Sequence, residues 1–140
     1  MPLPINPKAP NRPLQRMPSV KPDFIQAALI SQYTTPAEAA AYVQAIRAGR
    51  VTVYGAPNGA MAAVHSEPAG TLVVDHVTHP SIINLENLGV IKQHAVATSA
   101  HTIVAYTSNP VAIRKALGIG FRIVGTTIDG RATMAKAVGP

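Results

Sequence analysis

Cysteine and tryptophan are absent from this chain of 140 residues, and acidic side chains are scarce, six against twelve Lys and Arg. Without cysteine there is no disulfide framework, no thiolate nucleophile and no sulfur ligand for a metal. With four Tyr and two Phe as its aromatic residues, the core is expected to be small and built on β-branched packing. No apolar run approaches the ~20 residues that a membrane-spanning helix needs. The N-terminus is too rich in proline for a secretory signal. These absences predict a soluble, non-secreted protein without membrane contact, and the length suits one domain with an extension.

Proline is plentiful where acid is missing. Residues 1–22 hold seven prolines, together with Lys8, Arg12, Arg16 and Lys21 and no acid, so only +2 of the net +6 belongs to the remainder. Proline fixes φ and removes amide donors, which excludes a helix or a central strand there. The expected arm is extended and polyproline-like, reaching on the order of 60 Å at ~3 Å per residue. Such an arm is expected not to bury itself. Its apolar residues Leu3, Ile5, Leu14, Met17 and Val20 would then dock into a neighbouring subunit, and its cations would meet an acidic surface or nucleic acid. No zinc finger, RNA-recognition signature or recognition helix accompanies those cations.

Residues 23–140 read as a single α/β unit. Asp23 caps a short predicted helix to residue 32. Thr35, Pro36 and Glu38 form a capping-box pattern for a second helix that ends before Gly49, with Tyr42, Val43 and Ile46 on its packing face. Strands are predicted at 51–56 and 60–65 around the Asn58-Gly59 turn, and at 71–78. A helix capped by Ser81 follows, with Ile82, Leu85, Leu88, Ile91, Ala95 and Thr98 on its core face. It is expected to close any cleft beside it. Strands at 101–107, 121–127 and 131–138 complete the order, the last two joined at Asp129-Gly130.

The most ordered stretch is 107–125, TSNPVAIRKALGIGFRIVG. Asn109 caps a short helix, Pro110 takes its first position, and Ala112, Ile113, Ala116 and Leu117 make an apolar face that stops at Gly118. Strand, Asn, short helix, Gly-Phe, strand resembles the C-terminal half of the GNAT acyltransferase fold. Members of that family carry an N-x-x-A-x-x-x-Y-x-x-x-G-F-like segment, which Asn109, Ala112, Gly120 and Phe121 match. The resemblance implies a mixed, mostly antiparallel sheet flanked by helices, with the proline-rich arm in front. It also implies an acyl-CoA site after the third strand, where a Q/R-x-x-G-x-G/A loop leads into a helix whose amides hold the pyrophosphate.

In that loop Asn84 takes the Gln/Arg position, Asn87 the first Gly and Gly89 the last, and Asn109 would lie near the pantetheine. The departures are specific. Asn87 puts a side chain where phosphate should approach, Glu86 repels it, and no Lys or Arg lies between Pro80 and Lys92. Residues 115–117 stand where many members place a tyrosine acid. A base would come from Glu67, Asp75, His76 or His79, with Asp75 and His76 on opposite faces of their strand. His65, His94 and His101 have no partner at ligand spacing, and no metal site is predicted.

The function expected from these features is a non-catalytic GNAT-like structural or assembly protein, without cofactor, held to neighbouring subunits by its arm. A tailed-phage virion is the expected setting. The alternatives are an acetyl-CoA-dependent N-acetyltransferase and a nucleic-acid-binding accessory protein.

Overall fold

A computed structural model describes residues 5–10, 12–16 and 35–139. The helix expected at 23–32, and the arm residues Leu3, Met17, Val20 and Lys21, lie outside the described residues. The elements are β1 (Gln15–Arg16), α1 (Pro36–Arg47), β2 (Val51–Gly55), β3 (Met61–Glu67), β4 (Thr71–Val77), α2 (Leu85–Ala97), β5 (Thr102–Thr107), α3 (Pro110–Gly118), β6 (Arg122–Thr126) and β7 (Ala132–Ala137). The strands form one sheet in the order β1-β2-β3-β4-β5-β7-β6. Among the described strands only β4 and β5 pair in parallel, and every other neighbouring pair is antiparallel. No described helix is long and apolar enough to cross a membrane.

Local chemistry accounts for the ends of the elements. Thr35 accepts from the Glu38 amide and Glu38 reaches back to the Thr35 amide, the capping box expected for α1. In the β2–β3 hairpin Gly59 supplies the positive φ of 95°, and the Asn58 carboxamide accepts from the Ala60 amide. The turn into β4 requires Gly70, whose φ is +79° and whose missing Cβ leaves room for the His101 ring.

Side chains alternate across the sheet into two apolar layers. Ala62, Val64, Leu72 and Ile103 form one with Leu88, Ile91 and Ala95 of α2. Val51, Val53, Met61 and Ala63 form the other with Val43 of α1. The helix after β4 differs from its expected start: Pro80–Ile82 is a single 3-10 turn, and Asn84, not Ser81, caps α2. Leu85, assigned to the core face, is 70% exposed at the first position of the helix, while Leu88, Ile91 and Ala95 of the same expected face are buried.

The arm also departs from expectation. Leu14 is 5% exposed within the chain's own core, and Ile5 packs against the same cluster. The Asn6 amide donates to the Asn58 carbonyl, and Gln15 and Arg16 pair with Gly55 and Tyr54, respectively, at the sheet edge. Ile5 and Leu14 therefore need no neighbouring subunit to leave water. Proline excludes a helix or a central strand without excluding a short edge strand or burial of the residues between prolines.

Candidate active site

The site begins with an irregularity in β4. Ala63 pairs with His76 and Val64 with Val74, so Asp75 is an extra residue without a partner on β3, a β-bulge. Pairing of β4 with β5 ends at Val74–Ala105, although β4 runs on to Val77 and β5 to Thr107. Beyond the bulge the two parallel strands diverge. A cavity of about 790 Å³ fills the divergence and reaches residues of both faces of the sheet. Asp75, His76 and Tyr106 line it from one side, and Leu88, Ala112 and Ala116 from the other. The expected closure by the helix after β4 is thus corrected: α2 packs over the paired part of the sheet and leaves the divergence open.

The bulge also corrects the expectation that Asp75 and His76 stand on opposite faces. Alternation places His76, opposite Ala63, on the α1 side, and the extra residue turns Asp75 to the same side. There the Tyr42 hydroxyl donates to Asp75 Oδ2 at 2.6 Å, and the Tyr42 and His76 rings meet edge to face at 5.1 Å. His65 Nδ1 lies 2.5 Å from the same Asp75 oxygen, and His65 Nε2 lies 3.0 Å from Glu67 Oε1. Among the described residues Asp75 Oδ1 accepts no hydrogen bond, which leaves it free for a ligand in the cavity.

Protonation states follow from these neighbours. Burial, then the charge and hydrogen bond of Asp75, push the Tyr42 hydroxyl well above the usual tyrosine range, so it remains a donor. Burial opposes charge on His65, but the hydrogen bonds and charges of Asp75 and Glu67 outweigh it and raise the pKa. Both ring nitrogens of His65 face carboxylates, an arrangement only the imidazolium satisfies fully. Burial lowers the pKa of His76, and Arg131 adds to this against the opposing pull of Asp75.

A pH dependence follows. A histidine pKa raised by folding stabilises the protein fully below the unfolded value, about 6.5, and that stabilisation disappears as pH rises through the folded value. In urea titrations the stability gap between the wild type and His65→Gln is expected to shrink from pH 6 upward. A gap that widens with pH would contradict the ion-pair geometry. His76 acts in the opposite sense, contributing above the unfolded value and losing its contribution as pH falls through the folded one.

The opposite end of the cavity is the start of α2. Asn84 accepts from the Asn87 amide at 2.9 Å, the ordinary work of an N-cap. Asn87 is 6% exposed, and its carboxamide joins the Leu14 amide and the Ile82 carbonyl, each at 2.9 Å. Glu86 occupies the first turn. Asn87→Ala leaves a buried donor and acceptor unpaired and is expected to destabilise the protein by about 2–3 kcal/mol. Loss of less than ~0.5 kcal/mol in urea unfolding would mean that the arm is not held there.

The remaining candidates divide as follows. His79 accepts from the Ser81 amide at 3.1 Å and caps the 3-10 turn, which is a structural use. Gly89 sits inside α2, away from the cavity lining, with nothing near its missing Cβ. Asn109 lines the cavity, but its side chain caps α3 through the amides of Val111 and Ala112. Glu67 is exposed and reaches Asp75 only through His65. Lys8, Arg12 and Arg16 are exposed on the arm. Neither Tyr42, read as packing, nor His65, read as partnerless, was recognised from sequence. His65 and Asp75 are ten residues apart on adjacent strands, and only the pairing register joins them. Tyr106 and Arg131 were missed as well: the guanidinium lies 5.5 Å from the ring centroid, steadied by an Arg131–Asp129 ion pair at 2.9 Å.

No protein-family model and no curated protein matches the chain. Solved structures do. A protein described as an acetyltransferase of the GNAT family from Desulfovibrio desulfuricans superimposes with a TM-score of 0.67 at 14% identity, over 90% of this chain and 98% of that one. An aminoglycoside 6'-N-acetyltransferase complexed with coenzyme A gives 0.68 at 12% identity, over 92% and 98%. Ard1 from Thermoplasma volcanium gives 0.64 at 14% identity, over 91% and 97%. The seven-stranded sheet with its single parallel pair, and the helices that follow β4 and β5, make this a GNAT-like fold.

Proposed function

We propose that the chain is an acyltransferase that moves an acyl group from a thioester to an amine, with the β4–β5 divergence as its site. The observation that carries this reading is the cavity between the diverging strands, with a carboxylate oxygen that has no hydrogen-bond partner among the described residues on one side and an apolar wall from α2 and α3 on the other. Two substrates can meet in such a gap from opposite faces of the sheet. Residues 75–77 of β4 and 106–107 of β5 have no partner across the gap, so their backbone groups are available to the amides of a chain-like donor.

The fit to a whole coenzyme A is uneven. The divergence suits the pantetheine and the acyl group. The start of α2, with Glu86 exposed, Asn87 buried and no Lys or Arg from Pro80 to Lys92, does not suit the pyrophosphate. No step is therefore assigned to the nucleotide end.

Asp75 is the base. Its Oδ1 takes a proton from the acceptor ammonium, while Tyr42 and His65 hold Oδ2 and fix the carboxylate plane. Carbon–nitrogen bond formation and carbon–sulfur cleavage convert ammonium and thioester into amide, thiol and one proton, which passes from Asp75 to solvent. The thioester supplies the activated carbonyl. Because the chain has no cysteine, thiol release can be followed with a disulfide reagent without background from the protein. Amine-dependent release from acetyl-CoA or acetyl-pantetheine across a panel of primary amines is the expected result. No release from either donor would remove this reading. The assembly role drew on an arm needing cover from a neighbour, and the cover that Ile5 and Leu14 find in their own domain weakens that ground.

A further inference from the structure

The start of α2 lies at one end of the cavity, and the side chains there disfavour a phosphorylated ligand. The Asn84 side chain already takes the Asn87 amide. The Asn87 carboxamide fills the place where a glycine would let phosphate approach, and it is committed to the Leu14 amide and the Ile82 carbonyl. Leu14 lines the cavity beside it, buried to 5% exposure. Glu86, exposed in the first turn, already complements the positive end of the helix and repels a second anion. No cation between Pro80 and Lys92 compensates. The gap between β4 and β5, by contrast, remains open, and among the described residues its facing backbone groups have no strand partner across it.

We infer that the donor is recognised through its pantetheine chain and thioester alone, its phosphorylated end remaining in solvent. This rests on the acyl-transfer reading above and names the class of donor within it: a pantetheine thioester, either free or borne on the 4'-phosphopantetheine of a carrier protein. Both sources present the same chain and thioester to the gap. Nucleotide recognition by helix amides and cations would ordinarily tighten binding by roughly 100-fold or more, through several charge-assisted hydrogen bonds. Here that contribution is absent.

Calorimetric titration of the full-length protein tests the inference with three probes: coenzyme A, pantetheine and adenosine 3',5'-bisphosphate. The dissociation constants of coenzyme A and pantetheine are expected to agree within about threefold, with no competition from the bisphosphate. Coenzyme A binding 100-fold more tightly than pantetheine would overturn the inference while leaving acyl transfer intact. Failure of both to bind would remove the acyl-transfer reading and this one together. A holo carrier protein titrated alongside separates the sources. Binding at least tenfold tighter than pantetheine assigns the carrier, and equal binding assigns the free thioester.

Glu86→Lys provides a second test at a position exposed in the first turn of α2. It is expected to tighten coenzyme A about tenfold or more and to leave pantetheine unchanged, since only the former brings phosphate to the new cation. No change in coenzyme A affinity would contradict the electrostatic reason given for the exclusion.

Discussion

Asp75→Asn is expected to lower the rate of amine acylation by about 10²–10⁴-fold, the usual contribution of a positioned general base. The substitution keeps the size and planarity of the side chain, and its carboxamide oxygen can still accept from Tyr42. What it loses is the ability to take a proton. It also removes a carboxylate from His65, so the raised pKa of that imidazole should fall toward its ordinary value. Measuring the histidine titration by NMR alongside turnover separates loss of the base from loss of the fold. Donor affinity should be unchanged, because the pantetheine side of the cavity is lined by α2 and α3. Turnover within threefold of the wild type, with a shifted His65 titration, would show that the carboxylate is structural and that the base lies elsewhere.

Leu72→Ala should give the largest loss of stability, about 2–5 kcal/mol, which combines lost transfer energy with the cavity left behind. Leu72 has no exposed surface and is held on both sides, opposite Ser66 on β3 and Ile103 on β5. Ile103, equally buried, leaves little freedom for the site to collapse. Leu117→Ala on α3 is the matched comparison. That residue is 45% exposed, and its truncation should cost about 1 kcal/mol or less. Urea unfolding should show a lower midpoint for Leu72→Ala with an unchanged slope. Similar losses for the two leucines would mean that the layer between the sheet and α2 is looser than its burial indicates.

Much of the architecture could be read directly from the chain, because its signals are short-range. The capping box at Thr35 and Glu38, the Asn109-Pro110 start of α3 and the turns at Asn58-Gly59 and Asp129-Gly130 each act within a few residues. The expected strands overlap β2 to β7, and the match at Asn109, Ala112, Gly120 and Phe121 leads to the fold found in the solved structures. Asn84 was placed in the right loop, but its use as the cap of α2 was not foreseen. The competing capping residue, Ser81, lies only three positions away.

The site was less accessible, for reasons of register. Strict alternation puts Asp75 and His76 on opposite faces, and nothing in TLVVDHV announces the bulge that brings them together. His65 acquires its role from a strand pairing between residues ten apart. Leu14 meets Asn87 across seventy-three positions, and a proline-rich segment carries no local sign of what its apolar residues will cover.

By itself, then, the sequence determined the strands β2 to β7, the helices between them, their order and the fold class, since caps, turns and hydrophobic periodicity are interactions between near neighbours in the chain. Tertiary structure decided that the strands part beyond Val74, that Asp75 meets Tyr42 and His65, and that the arm closes over Asn87. Those outcomes depend on which residues of different strands lie opposite one another, and a single unpaired residue shifts that register for everything beyond it.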